Sequence, residues 1–205
     1  MKDKVLPLVG LGVALGAFAF LRGSRLGNAQ KAMPSRTRGK GDPNITLEYA
    51  RKWGPVFMTP VSYIMVIAHI ESAHNPRLVN MAAVKKGGAW GLGQQMADEA
   101  GEKVKRILGT WGHLPEVQAT AKKWTGNPND LLDPDLNVML MAWQLGKAYR
   151  KFGSFYLTAA AYHQGEGGIS RRLAQGQPAV DPTLQPKGVT YVNRALQIVP
   201  LYAQV

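Results

Sequence analysis

Residues 59–76 read TPVSYIMVIAHIESAHNP, and this stretch decides what kind of chain follows Asp42. Thr59-Pro60 is a helix start: an N-cap residue, then the one residue whose missing N–H costs nothing at the first helical position. Val61, Ile64, Met65 and Ala68 recur at spacings of three and four, the period of a helix and not of a strand. Asn75-Pro76 stops the run, because proline disfavours helical backbone in the residue before it. Within this apolar segment stands a single acid, Glu71, at the end of the helix. There the negative end of the helix dipole and the loss of water both disfavour a charged carboxylate. A carboxyl group kept protonated near neutral pH is what general acid catalysis requires.

Working outward, the same start signal returns at Asp133-Pro134 and predicts a helix from Pro134 to about Phe152, with Val138, Met141, Leu145 and Ala148 on one face. Gly153 ends it. Ser154 opens a shorter helix through Leu157 and Ala161, and a last helix is expected from about Val189 to Leu201. Lys103–Trp111 and Pro115–Trp124 suggest two more, and no run alternates in the manner of a strand. The expected fold class is all-α, with one domain over residues 42–205.

Composition removes several kinds of chemistry. There is no cysteine, hence no disulfide framework, no thiolate nucleophile and no Cys-ligated metal. The four histidines (His69, His74, His113, His163) form no HExxH-type pair, so neither a metal nor a cofactor is expected. The formal charge is +12 but unevenly spread: residues 1–41 hold eight Lys/Arg against Asp3 alone. The remainder is only mildly basic, which gives no reason to expect specific nucleic-acid binding.

Val5–Leu21 carries no charge and is flanked by Lys2 and Lys4 before it and by Arg22 and Arg25 after it. As a helix it would reach roughly 25 Å, the lower limit for crossing a membrane. Residues 1–22 are read as a retained membrane anchor in preference to a cleaved signal, because two arginines separate the apolar run from the weak cleavage site Gly27-Asn28-Ala29. Residues 23–41 are read as a flexible basic linker that would lie on anionic lipid. The excess of basic residues after the run would leave the following domain on the cytoplasmic side. That orientation does not hold if the anchor is cleaved, if the tendency is overridden, or if the membrane is that of a phage virion.

Five segments, read together, resemble the soluble lytic transglycosylase catalytic-domain family of the lysozyme-like superfamily. They are IAHIESAHNP (67–76), GAWGLGQ (88–94), LDPDLNV (132–138), FGSFYLTAAAYHQG (152–165) and YVNRAL (191–196). The family carries ES-x-x-NP, GLMQ, DP-x-x-N, AYN-x-G and YV segments in that order. Each motif alone is weak, and five in order are specific. The resemblance implies a goose-type lysozyme-like helical domain with a cleft for peptidoglycan glycan strands, acting in the periplasm or cell wall. It implies Glu71 as the single catalytic acid, cleaving between N-acetylmuramic acid and N-acetylglucosamine with closure of a 1,6-anhydro ring. It also implies substrate contacts at Gln94, Tyr162 and Tyr191. Asn80 stands where a serine is usual, His163 replaces an asparagine and Gly93 replaces a methionine. Trp90, inside the GAWGLGQ loop, is the tryptophan best placed for sugar stacking. Asp133 and Asn137 are expected to cap and buttress their helix, Ser72 to be structural and Asn75 to brace its turn.

Rival readings stay open on the sequence. A lysozyme-type hydrolase would need a second carboxylate to activate water, and Asp98, Glu99 and Glu102 are the nearest that folding could bring to Glu71. A non-catalytic wall-binding protein could keep the fold. A small tethered transglycosylase would suit local wall opening by a phage virion or a secretion or conjugation machine, an analogy at the level of the family.

Overall fold

The computed structural model describes residues 41–81 and 87–205, which build a helical domain around one buried core. The anchor and linker expected over residues 1–22 and 23–41 fall almost wholly outside the described residues, as do Lys85 and Lys86. Among the described residues no helix is long and apolar enough to cross a membrane.

The domain opens with α1 (Pro43–Phe57), for which the sequence reading had no helix of its own. The start is nevertheless written locally, as Asp42 Oδ1 accepts from the Asn44 N–H and Pro43 sits at the first helical position. Next comes α2 (Val61–Ser72), whose residues 64–68 are all fully buried. A helix that is apolar on every side belongs in the interior, and α2 is accordingly packed by α1 and by two later helices, α5 (Pro134–Phe152) and α8 (Pro186–Ile198). The expected Thr59 cap is corrected. Thr59 forms no cap bond; its hydroxyl donates to the Ala142 carbonyl at 2.7 Å, tying the start of α2 to the middle of α5.

Three two-residue strands follow, β1 (Val79–Asn80), β2 (Ala89–Trp90) and β3 (Gln95–Met96), paired antiparallel in that order. An all-helical reading has no place for this small sheet, and two-residue strands are too short to show alternation. The chain continues through α3 (Ala97–Trp111) and α4 (Pro115–Ala121), so α3 begins six residues earlier than the expected Lys103. Beyond a 3₁₀ turn (Pro128–Leu132) lies α5 (Pro134–Phe152). Its signals were read correctly: Asp133 Oδ1 accepts from the Leu136 N–H at 2.9 Å, and Gly153 closes the helix with φ 64°. Then come α6 (Phe155–Gln164), an unexpected α7 (Glu166–Ala174) and α8 (Pro186–Ile198), with a second 3₁₀ turn at Val199–Tyr202. Helix α5 packs on α1 and α6, and α6 packs on α8, so α2, α6 and α8 converge around the turn that holds Glu71.

Candidate active site

Glu71 lies one residue before the end of α2, where the chain leaves the helix through two successive left-handed residues, Ala73 (φ 50°) and His74 (φ 63°). Such backbone costs free energy in residues other than glycine. It is held here by Ser72, whose buried hydroxyl bonds the carbonyls of Ala68 (3.0 Å) and Leu92 (2.9 Å), joining the end of α2 to the GLGQ loop. Asn75 Oδ1 accepts from the Arg77 N–H and braces the turn as expected. On its other side, His74 bonds Thr46 and the Tyr202 hydroxyl, and Tyr202 also bonds His69. Burial pushes the His74 pKa down to about 4, with the His69 charge adding to the effect, so this clamp holds a neutral imidazole at neutral pH.

Around Glu71 opens a polar cleft of about 370 Å³. Of the residues singled out in the sequence, Glu71, Asn80, Gln94, Tyr162 and His163 line it together. Tyr191 reaches the same point from behind, donating its hydroxyl proton to Glu71 Oε1 at 2.7 Å while its ring stacks on His163 at 4.4 Å between centroids. Trp90 is not among the lining residues; its indole N–H is spent on the Gly87 carbonyl at 2.8 Å. Burial raises the Glu71 pKa to about 7, against the opposing pull of the Tyr191 hydrogen bond and the nearby Arg194 charge. At neutral pH Glu71 therefore holds its proton far more readily than an ordinary glutamate does.

The GLGQ loop is carried by Asn137 on α5. Its side-chain oxygen accepts from the Gly93 N–H at 2.7 Å, and its amide donates to the carbonyls of Trp90 and Leu131, both at 2.8 Å. Asn137 thus buttresses the loop as much as its own helix. Gly91 (φ 71°) has no room for a side chain, since a Cβ would run into Asn137 and the Leu131 carbonyl. At Gly93 a Cβ would stand 2.7 Å from the Tyr162 hydroxyl and 3.0 Å from Met141 Sδ. A side chain at this position would therefore require Tyr162 or Met141 to shift.

Several cleft residues escaped the sequence reading. Gln94 was the expected glutamine, yet its amide donates to the Leu78 and Gly91 carbonyls and shapes the loop, with its backbone at φ 47°. Its neighbour Gln95, buried to 2% exposure, joins Lys103 Nζ (3.1 Å) to the Tyr162 hydroxyl (2.8 Å). Tyr162 in turn donates to the Gly93 carbonyl at 2.6 Å. Its single proton is thus committed to Gly93, and Tyr191 is the tyrosine that donates to Glu71. Of the three acids considered near Glu71, only Glu99 lines the cleft, paired with Lys103 at 3.1 Å one helical turn on. The Glu99/Lys103 spacing of four was visible in the sequence, but it reads as an ordinary solvated helix pair. No group of three or more His, Asp or Glu residues able to hold a metal ion exists among the described residues.

The arrangement defines a class: a mainly helical domain of lysozyme-like build, with one water-deprived carboxyl group in a polar cleft. Residues 48–180 match the family model described as the transglycosylase SLT domain, and the chain belongs to that family. It is 31% identical over 123 residues to the soluble lytic murein transglycosylase of Escherichia coli K12, a match that takes in 60% of this chain and 16% of that protein. The fold is similar to that of the 70 kDa soluble lytic transglycosylase from Escherichia coli, with a TM-score of 0.59 and 26% identity over 76% of this chain and 23% of that one. A complex of that 70-kDa enzyme with bulgecin A has the same fold, with a TM-score of 0.57 at 24% identity, over 76% of this chain and 24% of that one. The chain therefore spans only a small part of the length of these relatives.

Proposed function

We propose that this chain cleaves the β-1,4 bond between N-acetylmuramic acid and N-acetylglucosamine in peptidoglycan as a lytic transglycosylase, with Glu71 as its acid. The observation that carries the reading is a single carboxyl, largely withdrawn from water and bonded by Tyr191, that lines an open polar cleft, where burial pushes its pKa up to about 7. With Oε1 taken by the Tyr191 hydroxyl, Oε2 is left to carry the proton. That proton passes to the glycosidic oxygen as the C1–O bond breaks. The resulting carboxylate then takes the proton of the muramic C6 hydroxyl as O6 bonds to C1, closing a 1,6-anhydro ring and restoring the acid. No water enters, so one carboxyl suffices where glycoside hydrolases use two. In this reading Tyr191 orients the acid, and Gln94, Asn80, His163 and Tyr162 meet the sugar. Trp90 contributes through the loop.

One observation favours a second reading, hydrolysis, because Glu99 lines the same cleft and could serve as the base that activates water. Its pairing with Lys103 weighs against that role, since a neighbouring cation makes a carboxylate a poorer base. Mass spectrometry of fragments released from purified peptidoglycan separates the two. Ends of 1,6-anhydro-muramic acid, lighter by one water, are expected; reducing ends would establish hydrolysis.

The reading extends to a membrane-tethered enzyme that opens the wall locally, in a phage virion or a secretion or conjugation machine. Its support is the sequence of residues 1–41, an apolar run followed by a basic segment. Fractionation of cells expressing the full chain tests it: tethered protein stays with membranes after a high-salt wash.

A further inference from the structure

The chain leaves α2 by a route that its own residues disfavour. A helix commonly ends through one left-handed residue, usually glycine, whereas Ala73 and His74 both take positive φ, at 50° and 63°. Backbone of this kind persists only where its surroundings over-determine it. Ser72 supplies part of the restraint. The rest comes from three side chains that the proposed chemistry does not use.

The Tyr202 hydroxyl bonds His74 Nε2 at 2.7 Å and His69 Nδ1 at 2.8 Å, and His74 Nδ1 bonds the Thr46 hydroxyl at 3.1 Å. A phenol has one proton to give and two lone pairs, and a neutral imidazole has one N–H and one acceptor nitrogen. Tyr202 therefore donates to one imidazole and accepts from the other, and the three bonds run in one direction between α1 and α2. Burial keeps His74 in that neutral form. His74 is 4% and Tyr202 2% exposed, so water has little access to replace a lost bond. In the chain His69 and His74 stand on either side of Glu71, and one oxygen holds both. The helix that leads into the Tyr202 turn is α8, which also carries Tyr191, the donor to Glu71 Oε1 at 2.7 Å. One tyrosine thus touches the carboxyl and the other holds the backbone on which it stands.

We propose that Tyr202 is a positioning residue for the acid: by gathering His69 and His74 on one hydroxyl it fixes the exit turn of α2 and keeps the Glu71 carboxyl against Tyr191. The proposal rests on the reading of Glu71 as the acid and adds a distant residue on which its placement depends.

The test uses the full-length protein as wild type, Tyr202→Phe, Tyr191→Phe and the double variant. On purified glycan strands Tyr202→Phe is expected to lower kcat about tenfold, the scale of a small misplacement of a reacting group, with KM within about twofold because no cleft residue is altered. The double variant should be no slower than Tyr191→Phe alone, since both changes undo the same contact. An unchanged kcat in Tyr202→Phe would overturn the proposal, as would losses that multiply to about a hundredfold in the double variant. Carbon NMR titration of the Glu71 carboxyl reads its placement without turnover. Tyr191, Arg194, Tyr162, His163, Glu99 and Lys103, which act on the carboxyl or share its cleft, are all kept in Tyr202→Phe. The Glu71 midpoint should nevertheless move upward, as a donor that lowers it is drawn away, and a midpoint equal to wild type sinks the proposal. If wild type releases no fragments, the acid reading falls and the titration still decides the positioning. Should Tyr202→Phe not fold, two variants at His74 answer instead, because Gln keeps a group that donates and accepts and Leu keeps neither. His74→Gln is expected to stay within about threefold of the wild-type kcat and His74→Leu to lose about tenfold; equal rates would overturn the assignment.

Discussion

Two carboxyl groups are withdrawn from water in this domain, and they end in opposite charge states. Asp135 on α5 is 5% exposed, and burial by itself would raise its pKa. Its oxygens receive hydrogen bonds from Lys52 (2.8 Å), Thr120 (2.8 Å), the Trp53 indole (2.8 Å) and Lys123 (3.1 Å), and the net shift is downward. Glu71 receives one side-chain hydrogen bond among the described residues, from Tyr191, and feels the Arg194 charge without an ion pair; its pKa rises to about 7. Burial alone therefore does not decide the charge of an acid: it prevails at Glu71 and is outweighed at Asp135. The number of donors and cations brought to it decides, and these two sites lie at the two extremes. The first is a structural joint between α1, α4 and α5, and the second is a proton store.

The comparison can be broken from either side. The largest effect is expected from Glu71→Gln, which keeps the shape and removes the proton. Release of soluble fragments from peptidoglycan should fall about 10²–10⁴-fold, the range for loss of a general acid, while circular dichroism stays unchanged. A residual rate above a tenth of wild type would move the acid elsewhere. Asp135→Ala should leave the cleft chemistry intact but cost about 2–3 kcal/mol in urea unfolding. The figure sits below that for a fully buried pair because Lys52 and Lys123 are 38% and 40% exposed and can rehydrate. The loss should shrink in acid: Asp135 has a depressed folded pKa, so its contribution is present above the ordinary carboxylate range and fades as pH falls through the folded value.

Glu71 predicts the reverse dependence. Its folded pKa of about 7 exceeds the ordinary 4.5, so its stabilising contribution is complete below 4.5 and lost as pH rises through 7. Glu71→Gln should thus match wild type near pH 4 and exceed it by about 3 kcal/mol at pH 8, measured by the same unfolding. Equal stability at both pH values would mean that Glu71 titrates as an ordinary surface acid. Activity should follow the same proton, with log(kcat/KM) falling at unit slope above pH 7. The smallest effect is that of Tyr191→Phe. Removing a donor that lowers the Glu71 pKa should move this limb upward by less than one unit, with activity down about tenfold from lost orientation. A downward move would show that Tyr191 does not donate to the carboxyl.

Much of this protein was legible before any coordinates. The Pro-marked starts at 134 and 115, the glycine stop at 153 and the apolar run ending in Glu71 are written in residues within a few positions of one another, and helix formation is governed by contacts at that range. The five ordered segments also carried the family resemblance, and with it the expectation that Glu71 is the acid. What tertiary structure alone decided has longer reach. Thr59 has the right identity for a cap, yet it faces Ala142, 83 residues away. Gln94 and Gln95 are adjacent and chemically identical, and only packing made one a loop brace and the other the link between Lys103 and Tyr162. The bond from Tyr191 to Glu71 spans 120 residues, and the charge state of that carboxyl depends on it and on burial. A sequence specifies its local elements through neighbours, whereas a pKa is set by whatever the fold brings within a few ångströms, and no local pattern encodes that distance.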